Sequence, residues 1–144
     1  MDLDGTLVDS SGRRHIIDKA VIKTKDWEAW HKQTHTDKVI EPIKQLCYAI
    51  KKFGIKVIFL TARSDKCRKH TEAWIAKNIP RLAKCKLLMR TEGDFRPSAQ
   101  VKLDIFTKYI GPIYEVLFTI DDDAENIKMF NKLGVHTLQV KEKK

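Results

Sequence analysis

A chain of 144 residues with 42% hydrophobic content can pack one domain and is too apolar for disorder to be expected. No run approaches the ~18–20 apolar residues of a membrane span, and the acidic start is unlike a signal peptide; a soluble, cytoplasmic protein is expected. The formal charge of +9 favours a polyanion such as phosphorylated nucleic acid or a nucleotide. Cys47, Cys67 and Cys85 are odd in number and form no CxxC pair, which argues against a disulfide framework or a cysteine zinc site. His15, His31, His35, His70 and His136 show no metal-ligand spacing.

In chain order, an acidic stretch at 2–10 comes first. The polar, basic segment 11–36 comes next and breaks the later rhythm. It carries Trp27 and Trp30 and reads as a small insertion over the mouth of a site, or as a surface helix packing its tryptophans on the body. Residues 39–53 form an amphipathic helix, with Val39, Ile43, Leu46, Ile50 and Phe53 at three- and four-residue steps; Asp37 can cap its start and Gly54 its end. The run 55–60 is a buried strand. Next come a helix at 65–78, a strand at 86–90 and a helix at 98–110. A strand at 115–120, a helix at 124–133 capped by Asp123, and a strand at 135–140 complete the chain. This alternation predicts an α/β fold: a doubly wound, Rossmann-like parallel sheet with helices on both faces and no large cap domain. The whole chain, 1–144, is expected to be one domain with an insertion at about 11–36. A strand should also lead into Asp2, where the sequence offers Met1; without one, the sheet has a gap beside its reactive residues.

Ligands of such sheets bind at the carboxyl ends of the strands, where the reactive residues gather. Asp2 can attack phosphorus as a nucleophile. Asp4 can protonate the leaving oxygen and then activate water. Gly5 allows a sharp turn and close backbone approach to phosphate, with Thr6 beside it as a further substrate contact. Thr61, expected at a helix entry, offers a hydroxyl and an N–H to phosphate. Lys102 can neutralise charge as it develops. Asp2 with Asp121 or Asp122 supplies hard oxygens for Mg²⁺. Asp9, Asp94 and Asp104 read as turn or solvated carboxylates.

Asp-Leu-Asp-Gly-Thr-Leu-Val-Asp at 2–9 resembles the first motif of the haloacid dehalogenase-like phosphatases. Ile-Phe-Leu-Thr61 resembles the second, Lys102 the third and Thr-Ile-Asp-Asp122 the fourth, in the family's order. The resemblance implies Asp2 as nucleophile, Asp4 as acid/base, and Mg²⁺ held by Asp2, the Asp4 carbonyl and Asp121. Within the family the chain is most similar to the 3′-phosphatase domain of phage-type polynucleotide kinase-phosphatases, on Leu-Thr-Ala-Arg-Ser64, Gly-Asp-Phe-Arg96, Val-Lys-Leu-Asp-Ile-Phe106 and Ile-Asp-Asp-Asp123. That likeness implies Arg63 and Arg96 as substrate contacts, and a kinase or ligase of the same pathway as a candidate partner. No GxxxxGK[ST] loop is present, so no kinase half is expected. The alternatives are a nucleotidase or small-metabolite phosphatase, and a phosphate-binding module without catalysis.

Overall fold

The computed structural model describes residues 1–13, 15–18, 29–30 and 33–141. Along the chain its elements are β1 (Val8–Asp9), α1 (His15–Asp18), β2 (Lys38–Val39), α2 (Glu41–Lys52), β3 (Ile58–Ser64), α3 (Arg68–Asn78), β4 (Lys86–Arg90), α4 (Ser98–Tyr109), β5 (Thr119–Asp121), α5 (Ala124–Lys132) and β6 (Thr137–Gln139).

Successive side chains of a strand point to opposite faces, so neighbouring residues of β3 enter different cores. Phe59 joins a core with Leu3, Leu7, Cys47, Trp74 and Ile75, which places α2 and α3 on that face. Leu60 joins the other core with Phe106, Ile110 and Phe130, which places α4 and α5 on the second face. Phe106 and Phe130 meet edge to face, with ring centroids 5.5 Å apart. The expected doubly wound α/β arrangement is thereby present, with no large cap among the described residues.

β3 pairs with β4 and β5 with β6, both parallel. The two pairs are joined through the first two residues. Met1 donates its amine to the Ile58 carbonyl at 2.8 Å and accepts from Leu60 N–H at 2.9 Å, while Asp2 N–H reaches the Ile120 carbonyl at 3.0 Å. The order across the sheet is therefore β4, β3, Met1–Asp2 backbone, β5, β6. Met1 and Asp2 hold the central position that a full strand was expected to fill. On the amino side of Met1 an apolar groove of about 510 Å³ opens between residues 55–58 and 114–118.

Several sequence-based boundaries are corrected. Asp37 does not cap α2: the cap position is Ile40, without a side-chain bond, because residues 38–39 form β2, antiparallel to β1. Leu46 and Phe53, placed on the apolar face of that helix, are 38% and 82% exposed; Cys47, read as a small core residue on the same face, is buried. The strand expected at 55–60 lies at Ile58–Ser64 and carries Thr61 and Arg63 within it, ahead of a 3₁₀ turn at Asp65–Cys67. Thr61 is thus a strand residue, not a helix entry. The strands expected at 115–120 and 135–140 shorten to β5 and β6. Asp123 caps α5 as expected, accepting from the N–H groups of Glu125 and Asn126.

Candidate active site

The carboxyl ends of β3 and β5, the turn after Asp2 and the start of α4 converge on one cleft of about 720 Å³. Its floor is built by chain reversal. Gly5 has φ +80°, and a Cβ there would sit 2.2 Å from an Asp122 carboxylate oxygen. Glycine is required on both counts. The turn lets Thr6 Oγ1 donate to Asp122 Oδ1 at 3.0 Å, which ties the first loop to the end of β5.

Lys102, on the first turns of α4, is 1% exposed. Its ammonium donates to Asp2 Oδ1 at 2.8 Å and to Asp121 Oδ2 at 2.7 Å. An ammonium is tolerated there because two carboxylates flank it. Burial raises the Asp2 carboxyl to about 7; Lys102 opposes the shift and Asp121 adds to it. Burial and the Asp121 charge likewise raise Asp122, against its bond from Thr6. Asp121 Oδ1 is held by Asn126 Nδ2 at 3.0 Å and by the Asp123 N–H at 3.1 Å.

Asp2, Asp121 and Asp122 each present a carboxylate oxygen within 4.8 Å of the others, a donor set that fits a hard cation. Beside them, the buried Oδ1 of Asn126 has no hydrogen-bond partner, and a cation's water ligand would satisfy it. Asn126 is a residue that sequence reading missed. The available signal was its position three residues after a helix cap, which turns it back toward the end of β5.

Asp4 belongs to a different cluster. Arg63 grips it with Nε to Oδ2 and Nη2 to Oδ1, both 2.6 Å, and Arg13 Nη2 reaches Oδ1 at 2.8 Å. Asp37 lies beneath and accepts from Arg13 Nε at 2.6 Å and Nη2 at 2.7 Å, and from Arg63 Nη2 at 3.3 Å. Arg13 also stacks on Trp30, with its Cζ 4.0 Å from the ring centroid. Arg13 went unnoticed in the sequence and Asp37 was read as a helix cap, because the two are 24 residues apart and share no motif. Trp30 is buried and lines the cleft. Trp27 lies outside the described residues.

Thr61 and Arg63 line the cleft; Thr61 Oγ1 accepts from the Arg63 N–H at 3.2 Å. Arg96 stands on the rim. Its guanidinium binds Asp94 through Nη2 at 2.7 Å and Asp104 through Nη1 at 2.7 Å. The structure thus lines one cleft with Asp2, Asp4, Thr61, Arg63, Arg96, Lys102 and Asp122, sets Gly5, Thr6 and Asp121 directly behind them, and turns the two arginines toward carboxylates of the protein.

The family described as "polynucleotide kinase PNKP phosphatase domain" matches residues 1–144. A putative bifunctional polynucleotide kinase/RNA ligase of Autographa californica nuclear polyhedrosis virus is 30% identical over 82 residues, which cover 57% of this chain and 12% of the viral protein. Among solved structures, a chain of the Pnkp1/Rnl/Hen1 RNA repair complex superposes with a TM-score of 0.76 at 27% identity, over 96% of this chain and 40% of its own. A second structure of the Pnkp1/Rnl/Hen1 complex gives 0.79 at 29% identity, over 96% and 44%. The chain therefore spans less than half the length of each of these relatives. It belongs to the family of the polynucleotide kinase PNKP phosphatase domain, a haloacid dehalogenase-like phosphatase.

Proposed function

We propose that this domain removes 3′-phosphates from polynucleotide ends through an aspartyl-phosphate on Asp2. The observation that carries the reading is the Lys102 ammonium between Asp2 and Asp121, which fixes one oxygen of Asp2 and leaves Oδ2 as the attacking atom. Attack forms the Asp2 oxygen–phosphorus bond and breaks the ester bond, while Asp4 gives a proton to the leaving oxygen. Asp4 then takes a proton from water, whose oxygen attacks the phosphoryl group and releases Asp2 and phosphate. Lys102 offsets negative charge throughout. Arg13 and Arg63 aim the Asp4 carboxyl, and Thr61, Gly5 and Thr6 surround the phosphoryl position. Arg63, held by Asp4 and Asp37, acts through Asp4, and Arg96 stands on the rim engaged by Asp94 and Asp104.

Mg²⁺, held by Asp2, Asp121 and Asp122 with the Asp4 carbonyl, would supply positive charge to the phosphoryl oxygens. The whole chain, 1–144, is read as one domain with its insertion at about 11–36 beside the cleft. A kinase or ligase acting on the same polynucleotide end is the expected pathway partner, as the names of the relatives suggest.

The test is phosphate release in Mg²⁺ from 3′-phosphorylated oligonucleotides, 5′-phosphorylated oligonucleotides and mononucleotides. The 3′-phosphorylated end should give the highest kcat/KM, and its advantage should shrink as salt rises. Asp2→Asn should be inactive, since an amide forms no acyl-phosphate, with its circular dichroism unchanged. A mononucleotide that wins at every salt concentration overturns the polynucleotide reading; an active, folded Asp2→Asn overturns the mechanism.

A further inference from the structure

A large aromatic ring stands open at the mouth of this cleft. Phe95 is 86% exposed, yet it lines the same cavity as Asp2, Asp4 and Lys102. Exposing such a ring forgoes the burial that usually holds aromatics inside. The other aromatic lining the cleft among the described residues, Trp30, is 7% exposed and already carries Arg13 on its face.

The loop that bears Phe95 is built to hold it outward. Gly93, at φ +83°, turns the chain after β4. Arg90, the last residue of β4, donates Nη1 to the carbonyls on either side of Phe95, at 2.8 Å to Asp94 and 2.6 Å to Arg96. Its Nε anchors to the Ala62 carbonyl at 2.8 Å. Asp94 accepts from the Arg96 N–H at 3.1 Å and from its guanidinium, which Asp104 of α4 also holds. The Glu92 N–H bonds Asp65 Oδ1 at 2.9 Å. Both neighbours of Phe95 are thus fixed to β3, β4 and α4, so its ring is presented without the ordering cost a loose loop incurs on binding. Lys66, Arg90 and Arg96 line the cavity around it together with Glu92 and Asp94, and Lys66 pairs with Glu92 at 3.2 Å, so the wall beside the ring is of mixed charge.

We infer that Phe95 is a stacking platform for an unpaired nucleobase at the phosphorylated end of the substrate. This role rests on the polynucleotide reading and deepens it. Every base offers a π-face, so the contact tolerates sequence, but it requires a base free of its duplex partner. Arg90 and Arg96 brace the loop; the ring recognises that a base is attached.

The test compares two 3′-phosphorylated oligonucleotides, one complete and one whose last two sugars lack bases, on wild type, Phe95→Ala and Phe95→Trp. Wild type should favour the complete end by about tenfold in kcat/KM, mostly through KM. Phe95→Ala should bring that ratio close to one, and Phe95→Trp should restore it. Unchanged melting of Phe95→Ala is expected for so exposed a side chain. A ratio that survives in Phe95→Ala, a wild type indifferent to the missing bases, or equal losses on both substrates each overturns the stacking role while leaving the phosphatase reading intact. Turnover of p-nitrophenyl phosphate with none of either oligonucleotide overturns the polynucleotide reading and the stacking role together.

Discussion

At the scale of single residues, the site is governed by how few water molecules reach its carboxylates. Asp2 and Asp121 are 7% and 2% exposed, and Lys102 is what makes two buried acids tolerable. Burial lifts the Asp2 carboxyl from its ordinary value of 3.8 to about 7. The folded state therefore keeps a proton that the unfolded chain releases at lower pH. Such a group stabilises below its unfolded pKa, and that contribution is lost as pH rises through the folded value. Between about pH 4 and 7 in a chelator, wild type should thus lose melting temperature relative to Asp2→Asn, by several °C. Differential scanning fluorimetry of both proteins across that range checks it; a difference that stays constant with pH contradicts the assignment.

At the scale of elements, the short β1–β2 ladder has a consequence beyond its two residue pairs. It brings Asp37, next to β2, under Arg63 of β3 and Arg13 of the turn after β1. This buried cluster joins the insertion to the sheet and fixes Asp4 over the cleft. Removing one partner of a buried ion pair leaves uncompensated charge and costs roughly 3–5 kcal/mol. Asp37→Ala should lose about that much stability by urea unfolding. Phosphate release should fall as well, because Arg13 and Arg63 lose the anchor from which they aim Asp4. Near-wild-type stability and rate would show that the cluster is incidental. Asp37 also shows what sequence patterns miss. Its place before an apolar helical run matches a cap, and only the pairing of β2 with β1 moves it to another task.

At the scale of the whole molecule, the backbone of Met1 and Asp2 joins the two halves of the sheet at its centre, with the apolar groove beside them. Ile55, Ile113 and Leu117 line that groove and are 36%, 62% and 52% exposed. A parallel ladder bonds alternate residues, so the edges that Met1 uses at Ile58 and Leu60, and Asp2 at Ile120, continue down the groove. An engineered extension of about four apolar, β-branched residues fused ahead of Met1 should lie there, bury these side chains and raise the melting temperature by roughly 5 °C or more. The same extension with prolines at alternate positions should not, since it cannot donate to the ladder. Equal effects from both extensions would rule out strand pairing in the groove.

The sequence by itself determined the alternation of strands and helices, the two-faced sheet and the gathering of Asp2, Thr61, Lys102 and Asp121 at one rim. Each rests on local information: apolar periodicity, glycine and proline punctuation, and the convergence of strand ends in a doubly wound sheet. Its element boundaries held for β4 and the start of α4, where polar residues flank an apolar run. They failed for β3, because buried Thr61 and Arg63 look polar but are satisfied inside the fold. Tertiary structure alone decided the partners. Lys102 bridges residues 100 positions before it and 19 after it. Arg63 turns to Asp4 across 59 residues, and Arg96 braces a loop that holds Phe95 open. These are choices among several nearby opposite charges, and only distance and burial in the folded chain separate them.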